Sequence, residues 1–372
     1  MQLFQFEPIR AENGFRMEDY WVWDPSVIRG PDGRWHMFAS RWPKWLPFHP
    51  GWLVRSEVVR AEAAKPEGPY TFKQVVLAAR GPEYWDGCTT HNPTIRFFEG
   101  RYFLFYMGST HPLKDVRSEE GERTLSIEDP RVIVARSMKR IGVAWADNLE
   151  GPWHRQDAPL LPTRPGTFYS FLTSNPAPWI HESGQVTMLF KARAWEGHTN
   201  GRMSIGVATA PGPLGPYSVI GDKPVFDGGS SREIEDPFLW QDASDGSGFR
   251  MVAKDMHGTW SANGVKGGGA YMCSKDALHW MPGMPRVAWR LEIPLAISGK
   301  KASESVQMTK MGNIERPFLL MDHNNGTRIT HLCAAVSNGH DGWAGATATW
   351  NVIIPVRIAD GSGLARRTRT PN

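Results

Sequence analysis

Five short segments of the chain share one local pattern: a polar or charged pair, a proline, then an apolar run. They are Trp23-Asp24-Pro25-Ser26-Val27-Ile28, His91-Asn92-Pro93-Thr94-Ile95, Ser174-Asn175-Pro176-Ala177-Pro178, Glu235-Asp236-Pro237-Phe238-Leu239 and Glu315-Arg316-Pro317-Phe318-Leu319. The spacing is regular enough to mark a repeat and too uneven for a strict solenoid. A proline that opens a strand gives up no ladder hydrogen bond and fixes the chain's entry angle. Each motif is followed by a second apolar run, as in Tyr102-Phe103-Leu104-Phe105-Tyr106, and by a third, as in Ser204-Ile205-Gly206-Val207-Ala208. A fourth is marked in three units by the tags Gly68-Pro69-Tyr70, Gly151-Pro152-Trp153 and Gly215-Pro216-Tyr217. Four short strands per unit make a propeller blade. The pattern therefore predicts an all-β fold, a five-bladed β-propeller with inner strands near residues 24, 92, 175, 236 and 316. The last unit runs out after its third strand, while Leu3-Phe4-Gln5-Phe6 has no other partner; this N-terminal strand is expected to close the last blade.

A chain of 372 residues would ordinarily suggest two domains, but no Ser/Gly-rich or low-complexity linker interrupts the repeats, so 1–372 reads as a single domain. The 17 Trp fit blade packing, and the same residue stacks on the apolar face of a pyranose. Net charge is +4, with basic residues dispersed except in the run Arg366-Arg367-Thr368-Arg369, which reads as a solvated end rather than a nucleic-acid site. No stretch approaches the ~20 apolar residues of a membrane span. The start lacks a basic segment followed by an apolar one, and Cys88, Cys273 and Cys333 are far apart and odd in number, so no disulfide framework is expected. A cytoplasmic location follows as the simplest expectation.

In a propeller the inner strands converge on one axis, so their matching ends ring a common funnel. The repeat brings Asp24, His91, Asn92, Asn175, Glu235, Asp236, Glu315 and Arg316 to that funnel. Glycoside hydrolysis needs two carboxyl groups flanking a sugar, and facing blades can supply them. On these motifs the chain resembles the five-bladed propeller glycosidases, the group around glycoside hydrolase families 43, 32, 68, 117 and 130. The resemblance covers nearly the whole chain as architecture, and its most specific element is Asp24-Pro25 on the first inner strand. In families 43, 32 and 68 an aspartate there is the base or nucleophile, a role that would fall on Asp24. The pattern then departs, because His91-Asn92 and Ser174-Asn175 stand where family 43 has acidic residues. Family 117 uses a histidine as its acid, which brings in His91 or His257, with His91 as the second candidate acid. The resulting set is Asp24 as base, Glu235 or Asp236 as acid or acid-tuning partner, and His91. An aspartate before proline also caps turns, and adjacent strand residues point opposite ways, so at most one of Glu235 and Asp236 is expected to face the funnel.

The ends of the second strands add a rim. Arg41, Trp42, Lys191, Arg193, Lys254 and His257 are candidate substrate-binding residues there, with Asn92, Asn175, Glu315 and Arg316 on the inner strands. Arg41, Lys44, Arg193 and Lys254 suggest an anionic group on the ligand. The longest insertion, from His111 to Arg136, carries Lys114, Glu119, Glu120 and Glu128 among its charges and reads as a rim loop. The HExxH, CxxC and EF-hand patterns are absent, so no metal site and no cofactor are expected; the resemblance adds a structural cation on the propeller axis. The leading expectation is an exo-acting glycoside hydrolase that removes a terminal sugar from a plant or algal oligosaccharide with inversion. Alternatives on the same scaffold are a glycoside phosphorylase, a polysaccharide lyase and a non-catalytic carbohydrate-binding propeller.

Overall fold

The computed structural model describes residues 2–111, 126, 129–226, 232–242, 248–260, 264–296, 305–322 and 328–359. The basic run 366–369 and the insertion residues Lys114, Glu119, Glu120 and Glu128 lie outside these. Five four-stranded antiparallel sheets dominate the described residues. Their innermost strands are Tyr20–Arg29, Thr89–Phe98, Leu172–Ile180, Ile234–Asp242 and Asn313–Asp322. Each inner strand packs against the next, and the fifth packs against the first, so the sheets stand around a common axis in the manner of a propeller. Strand Phe4–Phe6 pairs with Thr349–Ile358 and completes the fifth sheet, as the unpartnered N-terminal run implied. A three-stranded sheet of Ile9–Arg10, Glu292–Ala296 and Val306–Lys310 was not foreseen.

The inner strands are buried along most of their length, because each lies between neighbouring sheets and has no solvent face. Glycines on the third strands let aromatic rings lie flat against the backbone. A Cβ at Gly142 would sit 2.3 Å from the Trp85 ring, and one at Gly269 2.1 Å from Trp289.

All five repeat motifs carry the same local distortion. Asp24, Asn92, Asn175, Asp236 and Arg316 have φ of 57°, 56°, 51°, 57° and 57°, and pairing with the second strand slips at each of them. These are β-bulges at equivalent positions. Left-handed backbone costs a non-glycine residue roughly 1–2 kcal/mol, and Asp and Asn tolerate it best; Arg316 has no such excuse. The bulge also cancels the two-residue alternation of the strand. Both Glu235 and Asp236 therefore turn towards the axis, which corrects the expectation that at most one of them would; Glu315 and Arg316 do the same.

Two helices decorate one end of the sheets. The first, α1 (Phe48–Arg55), joins the second and third strands of the first sheet, and α2 (Pro130–Ser137) lies in the insertion of the second sheet. The α2 N-terminus is capped by Asp129, whose carboxylate accepts from the Arg131 backbone N–H at 2.8 Å. So the described end of the expected rim loop is helical. The two helices touch one another. No helix among the described residues is long and apolar enough to cross a membrane.

Candidate active site

The five left-handed residues form a closed ring of polar contacts around the axis. Asn92 donates from Nδ2 to Asp24 Oδ1 (3.2 Å) and from its backbone N–H to Asp24 Oδ2 (3.1 Å). Ser174 Oγ bridges Asn92 Oδ1 (3.3 Å) and Asn175 Oδ1 (2.5 Å). Asn175 Nδ2 donates to Asp236 Oδ1 (2.5 Å), and Arg316 Nη1 donates to the same oxygen (2.6 Å). Arg316 Nε lies 2.6 Å from Asp24 Oδ1, an ion pair out of hydrogen-bond alignment that completes the circle. These bonds offset the strain of the five bulges that present them.

Asp24 is 1% exposed. Burial opposes its charge, but His91, Arg316, the Ser40 hydroxyl and the Asn92 N–H more than compensate and hold its carboxyl below the usual range. His91 Nε2 lies 3.1 Å from Asp24 Oδ2, and its Nδ1 lies 2.7 Å from Ser56 Oγ. Burial takes the His91 pKa down to about 4 against the pull of Asp24. The ring is thus neutral near pH 7, with Nε2–H on Asp24 and Nδ1 accepting from Ser56. It stacks on Trp52 at 4.9 Å and meets Trp42 edge-on at 5.7 Å. With both nitrogens engaged, His91 is placed to orient Asp24, and the arrangement does not offer it as the acid.

Above the ring sits a row of alternating charges. Lys191 bonds Glu235; Lys254 bonds Glu315 and lies 4.0 Å from Glu235 Oε2; Asn313 Nδ2 bonds Glu315. The register explains the geometry, since Lys191 lies opposite Ser174 and Lys254 opposite Glu235, each reaching across to the next sheet. Burial raises the Glu235 pKa, but Lys191 and Lys254 overcome it and hold that carboxyl far below its usual value. At Glu315 burial wins, aided by Asp236 and Glu235, and its pKa is raised despite Lys254.

Other expected residues fall elsewhere. Arg41 is one residue out of phase with the Lys191 and Lys254 positions. It pairs with Glu57 at 2.8 Å and lies over the rings of Tyr20 and Phe72, so it is structural. Trp42 has the right phase but is 1% exposed behind His91. Arg193 follows Lys191 on the same face and donates to Gly201 O at 2.7 Å. His257 lies further out, 3.3 Å from Glu233.

The helices contribute several residues outside the expected set. From α1, Trp52 Nε1 donates to His49 Nδ1 (2.8 Å), and the His49 ring is 5.4 Å from the exposed Trp343. Burial, with Arg136, Lys139 and Lys191 nearby, takes His49 down to about 4. From α2 and the turn after it come Arg136 and Lys139, the latter with its ammonium 4.9 Å over the Trp52 ring. The only available signal was that both segments interrupt a repeat.

On the far side of the ring a small axial cavity is lined by the five repeat prolines with Phe238 and Phe318. The Arg96 guanidinium packs over both phenylalanines, at 5.1 and 5.2 Å. A structural cation on the axis would need Asp24 and Asp236, and Arg316 already joins both carboxylates, so these residues do not fit a metal ion. His36, Glu62 and Glu150 also cluster, but Arg60 Nη1 lies 2.8, 2.6 and 3.3 Å from them and takes the central place.

The fold recurs in known structures. A family 117 glycoside hydrolase from the marine bacterium Zobellia galactanivorans superposes with a TM-score of 0.62 at 16% identity, covering 100% of this chain and 99% of that one. The chain has the fold of the propeller glycosidases. An endo-arabinase from Bacteroides thetaiotaomicron gives a TM-score of 0.57 at 12% identity over 96% of this chain and 99% of that one. Fructan 1-exohydrolase IIa from Cichorium intybus gives 0.61 at 15% over 96% of this chain and 60% of that one. No family model and no curated protein matches the chain at the sequence level.

Proposed function

We propose that the chain is a single five-bladed propeller domain acting as an exo-acting glycoside hydrolase. The observation that carries the reading is the opposite displacement of carboxyl groups in one small space: Asp24 and Glu235 are held below the usual carboxylate range, while burial raises Glu315 above it. Neighbouring carboxyls whose environments push their pKa values apart are the signature of acid and base in one site. Asp24 serves as base, Glu315 as general acid, and Glu235 with Lys254 tunes that acid. The longer contacts of Asp24, 3.1 Å to His91 and 3.2 Å to the Asn92 side chain, are those a substrate water would replace. Attack by that water needs no covalent intermediate, and inversion follows.

Removal of a terminal sugar is supported by the floor of the funnel. The polar ring closes the axis beneath the site. The exposed Trp343 at the rim offers a face for sugar stacking. The test is a panel of plant and algal oligosaccharides with and without inorganic phosphate, reading released sugar and ultraviolet absorbance. Phosphate-independent release of monosaccharide supports the proposal; phosphate-dependent release reassigns the chain to the phosphorylases, and an absorbing unsaturated product to the lyases.

A further inference from the structure

The charges above the polar ring do not cancel. Lys191 is answered by Glu235 and Lys254 by Glu315, while Arg316 is answered by Asp24 and Asp236. Arg136, Lys139 and Arg193 remain, and no carboxylate of the described residues pairs with any of them. Lys139 is 4% exposed, so it cannot reach solvent as a surface lysine would. Its ammonium rests over the Trp52 ring instead of on an anion. Arg193 Nε is buried without a hydrogen-bond partner. These cations face one another: burial lowers Lys139 well below its usual pKa, and Lys191, Arg136 and Arg193 lower it further. Burial and Arg193 likewise bring Arg136 down to about 10. A buried, unpaired cation is expensive; Lys139 is buried, Arg136 and Arg193 are half-buried, and three such cations in one place point to an anion that comes from outside.

Resting on the glycosidase reading, we propose that Arg136, Lys139 and Arg193 form a subsite for an oxyanion carried by the substrate, a carboxylate or a sulfate ester, and that the substrate is an acidic oligosaccharide. Two guanidinium forks and one ammonium match such a group.

The test is calorimetric binding to the intact protein of four hexuronates (D-galacturonate, D-glucuronate, D-mannuronate, L-guluronate), of 2-, 4- and 6-sulfated galactose, of the matching neutral hexoses, and of inorganic phosphate. The proposal expects at least one charged sugar to bind about tenfold or more tightly than its neutral counterpart, since a charge-assisted hydrogen bond contributes about 1.5–3 kcal/mol. Uronate and sulfated sugar distinguish the two sources of the group. Lys139→Met and Arg193→Gln should each weaken the charged sugar about tenfold and leave the neutral one unchanged; the second variant keeps the test alive if the first misfolds. Equal binding of charged and neutral sugars, or binding of phosphate that no sugar displaces, would overturn it. Cleavage of neutral glycosides without preference for charged ones would overturn this subsite and leave the hydrolase reading standing. Charged-sugar binding without turnover of any glycoside would do the reverse.

Discussion

Glu235 and Glu315, on the inner strands of neighbouring sheets, share the Lys254 ammonium yet their pKa values are pushed in opposite directions. The difference lies in their other partners. Glu235 also has Lys191, whereas Glu315 has the neutral Asn313. One cation between two carboxyls leaves one of them short of positive charge, and burial raises that one.

Replacing the carboxyl whose pKa is raised should remove acid catalysis. Glu315→Gln is expected to lower kcat/KM by roughly 10²–10⁴-fold, with substrate affinity nearly kept. In Lys254→Met, loss of the cation that opposes the raised pKa should raise it further and move the alkaline limb of the kcat/KM profile to higher pH. A profile that stays put would remove Glu315 from the acid role.

The ring around the axis makes a stability prediction. Arg316→Met leaves Asp24 and Asp236 buried without their common cation, and loss of one partner from a buried pair costs about 3–5 kcal/mol. Denaturant unfolding should show that loss. Asp24 also gives the acid dependence: its folded pKa is depressed, so its contribution is complete above the unfolded value near 3.9 and disappears as pH falls through the lower folded value. An unchanged midpoint in Arg316→Met would show that the ring carries no stability.

The unpaired lysine predicts the opposite sign. Lys139→Met removes a buried charge with no counter-ion and keeps the side chain's volume, so it should stabilise the protein by roughly 1 kcal/mol. A thermal melt about 2 °C higher, together with weaker binding of charged sugar, would mark a residue kept for binding at a cost in stability.

The architecture was legible because every unit needs the same bulge before the same proline, and that need is written as five local motifs. The direction of side chains around each bulge was not. Asp236 reads as the strand neighbour of Glu235, and only its positive φ turns both inward. Arg41 was misplaced for a related reason: a one-residue error of register moves a side chain to the other face of the sheet. His49, Trp52, Arg136 and Lys139 stand in segments with no counterpart in the other units, so no repeat could point to them, and α2 puts two of them into the site only through tertiary packing.

The most direct test of the account is kcat/KM of Asp24→Asn beside wild type on the glycoside that the panel identifies, with the thermal melt of both proteins. The substitution keeps shape and most hydrogen bonds and removes the base. The account predicts a fall of at least roughly 10²-fold in a protein that still melts cooperatively and still binds sugar. Turnover within a few fold of wild type would contradict it and take the base away from Asp24.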